Sequence, residues 1–229
     1  MKTSHILLLV TAVVTLTGLV ATDVLLKQQY DKIDWNDAYQ DFERRTLPSA
    51  RHLIIESAPI AEVILERSTG APRALLLPSM ADSYRAEQRG DTLFVRFTMN
   101  YTEGKRNPRT YDYELGAGLV LRLSNVQSVR FTNGALTLRK LTPAQLSIDL
   151  QNSRLRTDNL TVAGSFALTS RQNSFAMLNA DRYGSLRAVV QDSSGVQLND
   201  VQTEVFTSEL SPEAEVQLRG RALRWVKTE

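Results

Sequence analysis

Through the second half of this chain, one apolar residue follows a polar turn cluster at a nearly constant interval, and few folds accommodate that. The clusters are Asn133-Gly134, Gln151-Asn152-Ser153, Gln172-Asn173-Ser174, Asp192-Ser193-Ser194-Gly195 and Ser211-Pro212-Glu213. The residues behind them are Leu136, Leu155, Phe175, Val196 and Val216, separated by 19, 20, 21 and 20 positions. A second marker, Asn159, Asn179 and Asn199, recurs every 20 residues. Short strands with a fixed period of this size signal a repeat stack, in which no single coil can bury its apolar row. Stacking coils about 4.8 Å apart turns equivalent residues into columns and buries the row continuously. The expected fold is therefore all-β: a single-domain, right-handed β-solenoid-like stack with a period near 20. Leu136, Leu155, Phe175, Val196 and Val216 would form an inner ladder, and Leu146, Ile148, Leu160, Val162 and Val205 would fill other inner positions. The three asparagines would stack at a corner and satisfy one another's amides. An antiparallel β-sandwich is the alternative, because two sandwich strands per repeat mimic the same period.

Strand signals also fill the region ahead of the repeat. HLIIES (52–57), AEVILERS (61–68), RALLLPS (73–79), TLFVRFT (92–98) and YDYEL (111–115) are short runs of β-formers between turn clusters. In AEVILERS, Val63 and Leu65 alternate with Glu62 and Glu66, as on a strand with one wet face. The β domain is expected over 48–229. Its final run, RGRALRWVKTE, sets charge around Leu223 and Trp225 and reads as a cap against further stacking.

The N-terminus has a different character. Ile6–Thr22 carries no charge, and with Val24, Leu25 and Leu26 the run can cross a hydrocarbon core of roughly 30 Å. Residues 1–27 read as one transmembrane helix, with a cleaved signal peptide as the alternative; the apolar run is longer than an ordinary signal core. Either way the β domain is expected on the periplasmic or extracellular side. Over 28–47, Trp35, Ala38, Tyr39 and Phe42 share one helical face, and Asp34 is placed to cap it. That segment reads as a juxtamembrane helix, serving as a lid or lying in the headgroup region.

An apolar N-terminal segment, the pair LIIES and AEVILERS, the strand RGDTLFVRF, and coils such as SFALTSRQNS and LRAVVQDSSG together form a familiar plan. The chain resembles the bacterial envelope family described as "putative auto-transporter adhesin, head GIN domain" over about residues 50–220. That resemblance implies stacked β-coils held at the envelope and a role in adhesion. It brings no functional residues with it.

Composition narrows the chemistry. The absence of cysteine excludes disulfides, thiolate metal sites and a cysteine nucleophile. Of two histidines only His52 lies beyond the apolar segment, so a Ser–His–Asp triad would have to use it. No phosphate-binding, dinucleotide or metalloprotease motif occurs, and neither a cofactor nor a metal is expected. A net charge of +2, with acids and bases interspersed, argues against a nucleic-acid partner. Asp181 and Asp200 are acids that a glycosidase-like mechanism could use, although corner acids ordinarily serve as solvated turn residues. The candidate contact site is NYTEGKRNPRTYDYEL, where Lys105, Arg106, Arg109 and Tyr111 could hold an acidic glycan or lipid headgroup. The expected function is a non-catalytic envelope protein, anchored by its helix and binding a glycan or another envelope protein. A glycan-active β-helix enzyme is the alternative.

Overall fold

The computed structural model describes residues 2–35, 37–58, 62–98 and 116–225. Contacts divide the chain into two units, Met1–Asp41 and Phe42–Glu229. The first contains helix α1, Lys2–Tyr30, whose 29 residues extend about 43 Å at the usual rise. His5–Tyr30 has a mean hydropathy of 2.1 and is long and apolar enough to cross a membrane. Apolar side chains cover all sides of it, and those from Ile6 to Leu26 are exposed. Each threonine of that run turns its hydroxyl back onto the helix: Thr11 to the Leu7 carbonyl, Thr15 to Thr11, Thr17 to Val13 and Thr22 to Gly18, at 2.8–2.9 Å. No hydroxyl of the run then needs water, as a lipid environment requires.

The helix expected over 28–47 does not form as one piece. α1 ends at Tyr30, successive turns follow, and strand β1 occupies Glu43–Thr46. Side chains divert the backbone here. Asp37 Oδ1 accepts from the Tyr39 amide at 3.1 Å, and Gln40 Oε1 accepts from the Asp34 amide at 2.6 Å. Such local side-chain acceptors compete with helical hydrogen bonds.

In the second unit the early strands are β2 His52–Glu56, β3 Glu62–Arg67, β4 Arg73–Leu76, β5 Tyr84–Arg89, β6 Thr92–Phe97 and β7 Ala117–Leu123. Then follow β8 Ser128–Arg139, β9 Leu146–Asp158, β10 Thr161–Arg171, β11 Phe175–Asn179, β12 Arg182–Val190, β13 Gly195–Asn199, β14 Gln202–Leu210 and β15 Glu215–Arg219. All fifteen belong to one branched sheet. β1–β4, β4–β7 and β5–β6 are antiparallel, and the other pairs are parallel. β8 turns a corner at Asn133 (φ 59°) and Gly134 (φ 137°), so its first half pairs with β2 and its second with β3. β9 does the same at Asn152 (φ 48°), pairing first with β10 and then with β11. Two ladders result. At the corner between them, hydrogen bonds from side chains and backbone amides join residues of neighbouring repeats 19, 20 or 21 positions apart.

The register corrects the expected inner ladder at one place. Leu136 pairs with Leu155, Leu155 with Ala176, Ala176 with Val196, and Val196 with Val216. Phe175 instead lies beside Arg154 and Gly195 on the outer side, half-buried. The cause is a turn with one extra residue. Gln172 and Asn173 both take left-handed φ (57° and 59°), where the preceding coil uses Asn152 alone. Leu146, Ile148, Leu160 and Val162 are buried as expected. Val205 is 54% exposed, because it continues the outer column of Ser165 and Ser185, while Phe206 follows Phe166 and Leu186 inward; among the described residues β14 has no further strand on its far side. The 3-10 helix Gly220–Trp225 covers part of that end. It buries Ala222, rests Trp225 against Phe206 at 5.4 Å, and directs Arg224 to the Thr203 carbonyl.

Lys140, Asn159, Ala180, Asp200 and Gly220 recur at one corner, all with φ between 51° and 60°. Asn179 and Asn199 do stack, with Asn199 Nδ2 donating to Asn179 Oδ1 at 2.9 Å. Asn159 occupies the left-handed position itself and bonds Asp158 instead. Ala180, like Lys140, has neither glycine's freedom nor the side chain of an asparagine or aspartate to favour this conformation. An alanine there costs about 1–2 kcal/mol, offset in part by glycine's greater loss of freedom on folding, about 0.5–1 kcal/mol. Ala180→Gly is expected to stabilise the unit by roughly 0.5–1 kcal/mol in urea denaturation. A loss of stability would mean the corner is not left-handed.

Candidate functional site

Strand alternation sends Ser153, Leu155 and Thr157 of β9 inward and Arg154 and Arg156 outward, where both are exposed. The next coil sets Phe175 beside Arg154 and Met177 beside Arg156, and the one after adds Gly195 and Gln197. A Cβ on Gly195 would stand 2.9 Å from Phe175 Cδ2, so the missing side chain lets the ring lie across that strand. At the adjoining corner, a groove of about 580 Å³ is lined by Asn133, Asn152, Asn173, Ser57 and Arg154, among others. Asn152 Nδ2 donates to Asn133 Oδ1 at 2.8 Å. Beneath the corner, buried serines link the coils: the Ser153 amide donates to Ser174 Oγ and the Ser174 amide to Ser194 Oγ, both at 3.0 Å.

Arg154 and Arg156 differ electrostatically from several other sheet-face arginines. Arg130 and Arg171 share Asp149 at 3.0 and 2.6 Å, and Arg122 and Arg139 share Glu66 at 3.3 Å each. Arg96 pairs with Glu56 at 3.0 Å and Arg187 with Glu209 at 2.6 Å. Among the described residues, neither Arg154 nor Arg156 has a carboxylate partner.

The other sequence candidates fare differently. Lys105, Arg106, Arg109 and Tyr111 lie outside the described residues. His52 Nδ1 lies 2.7 Å from Ser128 Oγ on an exposed sheet face. That contact joins a hydroxyl to a base, but among the described residues no carboxylate hydrogen-bonds the ring to orient it. Asp181 is not a solvated corner acid. It is fully buried, with Oδ2 accepting from Thr157 Oγ1 and, at 2.8 Å, from the Tyr183 hydroxyl, and Oδ1 accepting from the Leu160 amide at 2.9 Å. Asp200 Oδ1 accepts from the Arg221 amide at 3.1 Å and so holds the terminal 3-10 helix. Both acids therefore serve the fold. Among the described residues, no group of three or more His, Asp or Glu is placed to hold a metal.

No family model and no curated protein sequence matches the chain. Solved structures do. A protein described as a "putative adhesin" from Bacteroides fragilis is similar over 77% of this chain and 95% of its own, at 10% identity and a TM-score of 0.39. A "putative lipid binding protein" from Parabacteroides distasonis matches over 80% and 98%, at 10% identity and a TM-score of 0.34. A "putative cell adhesion protein" from Clostridium sporogenes matches over 78% and 98%, at 6% identity and a TM-score of 0.35.

Proposed function

We propose that this protein is a membrane-anchored, non-catalytic envelope component whose β unit is a solenoid displayed outside the cytoplasm to bind or scaffold a partner. The observation that carries the binding role is the outer face bearing Arg154, Arg156 and Phe175, two cations with no ion pair among the described residues beside a half-buried ring. The solenoid reading rests on parallel pairing between strands about twenty residues apart, which a sandwich of antiparallel hairpins would not produce. The anchor reading rests on α1, apolar on all sides and with its hydroxyls bonded internally. Residues 1–27 form the anchor in this scheme and 48–229 the displayed domain.

Two measurements test it. The full-length protein should stay with membranes through high-salt and alkaline washes, whereas a soluble product starting near Thr22 would identify α1 as a cleaved signal. A phosphatase fused after Glu229 should be active, and a silent phosphatase would reverse the topology. Turnover on polysaccharides, abolished by one Asp or Glu substitution, would replace the binding role with an enzymatic one.

A further inference from the structure

We propose that the groove and face formed by Asn133, Asn152, Asn173, Arg154, Arg156 and Phe175 bind an acidic linear polysaccharide laid along the coil stack. This rests on the binding role proposed above and names its ligand class. Three features specify that class. Arg154 and Arg156 stand on one strand, two residues apart, and therefore point the same way. Guanidinium groups bind carboxylates and sulfates through paired donors, and among the described residues no carboxylate engages these two. Phe175, held across Gly195, offers a flat apolar surface beside the charges, suited to the C–H face of a sugar ring. The asparagines come from three successive turns, about 4.8 Å apart along the stack. Their amides both donate and accept, as the hydroxyls of a sugar chain require.

The shape and charge disfavour other anions. The groove is open and crosses several coils, which suits an extended polymer better than an enclosed small molecule. Two adjacent arginines in a chain of net charge +2, with acids and bases interspersed, fall well short of the broad basic surface a nucleic acid requires. A bilayer surface would meet the faces but could not enter the groove.

The test uses the full-length protein in nanodiscs of zwitterionic lipid, with alginate as the polyuronate probe and dextran as the neutral one. Alginate should bind and weaken as salt rises; dextran should bind at least tenfold more weakly. Arg154→Gln with Arg156→Gln should reduce alginate affinity at least tenfold, and Phe175→Ser severalfold. Arg187→Gln, on the other ladder, should leave it unchanged. Melting temperatures should stay close to wild type in all three variants, so that lost binding cannot be lost folding. No alginate binding, binding indifferent to the double substitution, or equal binding of dextran would each overturn the inference. None of these outcomes bears on the phosphatase and extraction tests, so the exported anchor reading stands or falls separately.

Discussion

Ala176→Asp is expected to unfold the β unit, whereas Phe175→Asp, one residue away, should cost about 1 kcal/mol or less. Ala176 is fully buried between Leu155 and Val196 in the central column. A carboxylate there meets aliphatic neighbours on both adjacent coils and finds no hydrogen-bond donor. An unpaired buried charge of this kind costs several kcal/mol, and the added volume forces the coils apart. Domains of this size have about 5–15 kcal/mol to lose in total. Phe175 faces outward, so a carboxylate there remains hydrated and gains Arg154 as a neighbour. Urea titrations of the full-length protein in detergent, followed by circular dichroism, compare the two directly. Equal losses would mean that the strand is one residue out of register.

The second large effect concerns Asp181. Its corner column is otherwise filled by Leu141, Leu160 and Val201, all buried. The carboxylate is retained because three donors converge on it: the Thr157 hydroxyl, the Tyr183 hydroxyl and the Leu160 amide. Asp181→Ala leaves the Tyr183 hydroxyl and the Leu160 amide without their acceptor in the core, at about 1–3 kcal/mol each, and leaves the Thr157 hydroxyl only the Met177 carbonyl at 3.4 Å. A loss of several kcal/mol is expected. Replacing Asp181→Leu together with Tyr183→Phe removes one stranded hydroxyl and should recover part of that loss, whereas adding Thr157→Val should not help, because the Thr157 hydroxyl also accepts from the Asn179 amide at 3.0 Å. Acidity gives an independent reading. Burial raises the Asp181 carboxyl above its ordinary range, against the lowering influence of its hydrogen bonds from Thr157, Tyr183 and the backbone. Burial, then the Asp181 charge, likewise raises the Tyr183 hydroxyl. A raised carboxyl pKa contributes stability that is full below the unfolded value, about 3.9, and is lost as pH rises through the folded value. Stability should therefore fall with rising pH just above pH 4 (about the unfolded value), and Asp181→Asn should flatten that fall. An unaltered profile would place the titration elsewhere.

The repeat was legible because it is written in spacing. The turn clusters and the columns through Leu136, Leu155, Val196 and Val216 appear in the ladders at the expected interval. The exception has a local cause. In the turn at Gln172 and Asn173 two consecutive residues are left-handed, which lengthens that coil by one and exchanges Phe175 for Ala176. A spacing argument prefers the larger apolar residue, and nothing in composition reveals the extra bend. Asn159 misled for a similar reason: an asparagine can stack its amide or adopt left-handed φ, and this one does the latter. Asp181 looked like an ordinary corner acid because its partners, Thr157 and Tyr183, are distant in sequence or inconspicuous. The helical spacing of Trp35, Ala38, Tyr39 and Phe42 was real, but the acceptors on Asp37 and Gln40 were stronger locally.

The arginine face is legible in the sequence once equivalent positions are compared. Within SRLRTD, the two arginines alternate with Ser153, Leu155 and Thr157, the inward set. Their equivalents one coil away are Ala135 and Thr137 on one side and Phe175 and Met177 on the other, none of them acidic. Comparing coil-equivalent positions for charge balance, rather than scanning linear motifs, would have isolated the pair.

The proposed stacked-coil arrangement places every residue of the binding face, and the cysteine-free chain allows a direct trial of it. Arg187 and Thr207 are register partners on the parallel strands β12 and β14, and both are exposed. Neighbouring strands lie about 4.8 Å apart, within the Cα separation of about 4.4–6.8 Å that a disulfide spans. Arg187→Cys with Thr207→Cys should oxidise rapidly to an intramolecular disulfide in the folded full-length protein. Arg187→Cys with Ser208→Cys, whose second residue points to the opposite face, should not. Rapid closure of the second pair, or no closure of the first, would contradict the twenty-residue stack.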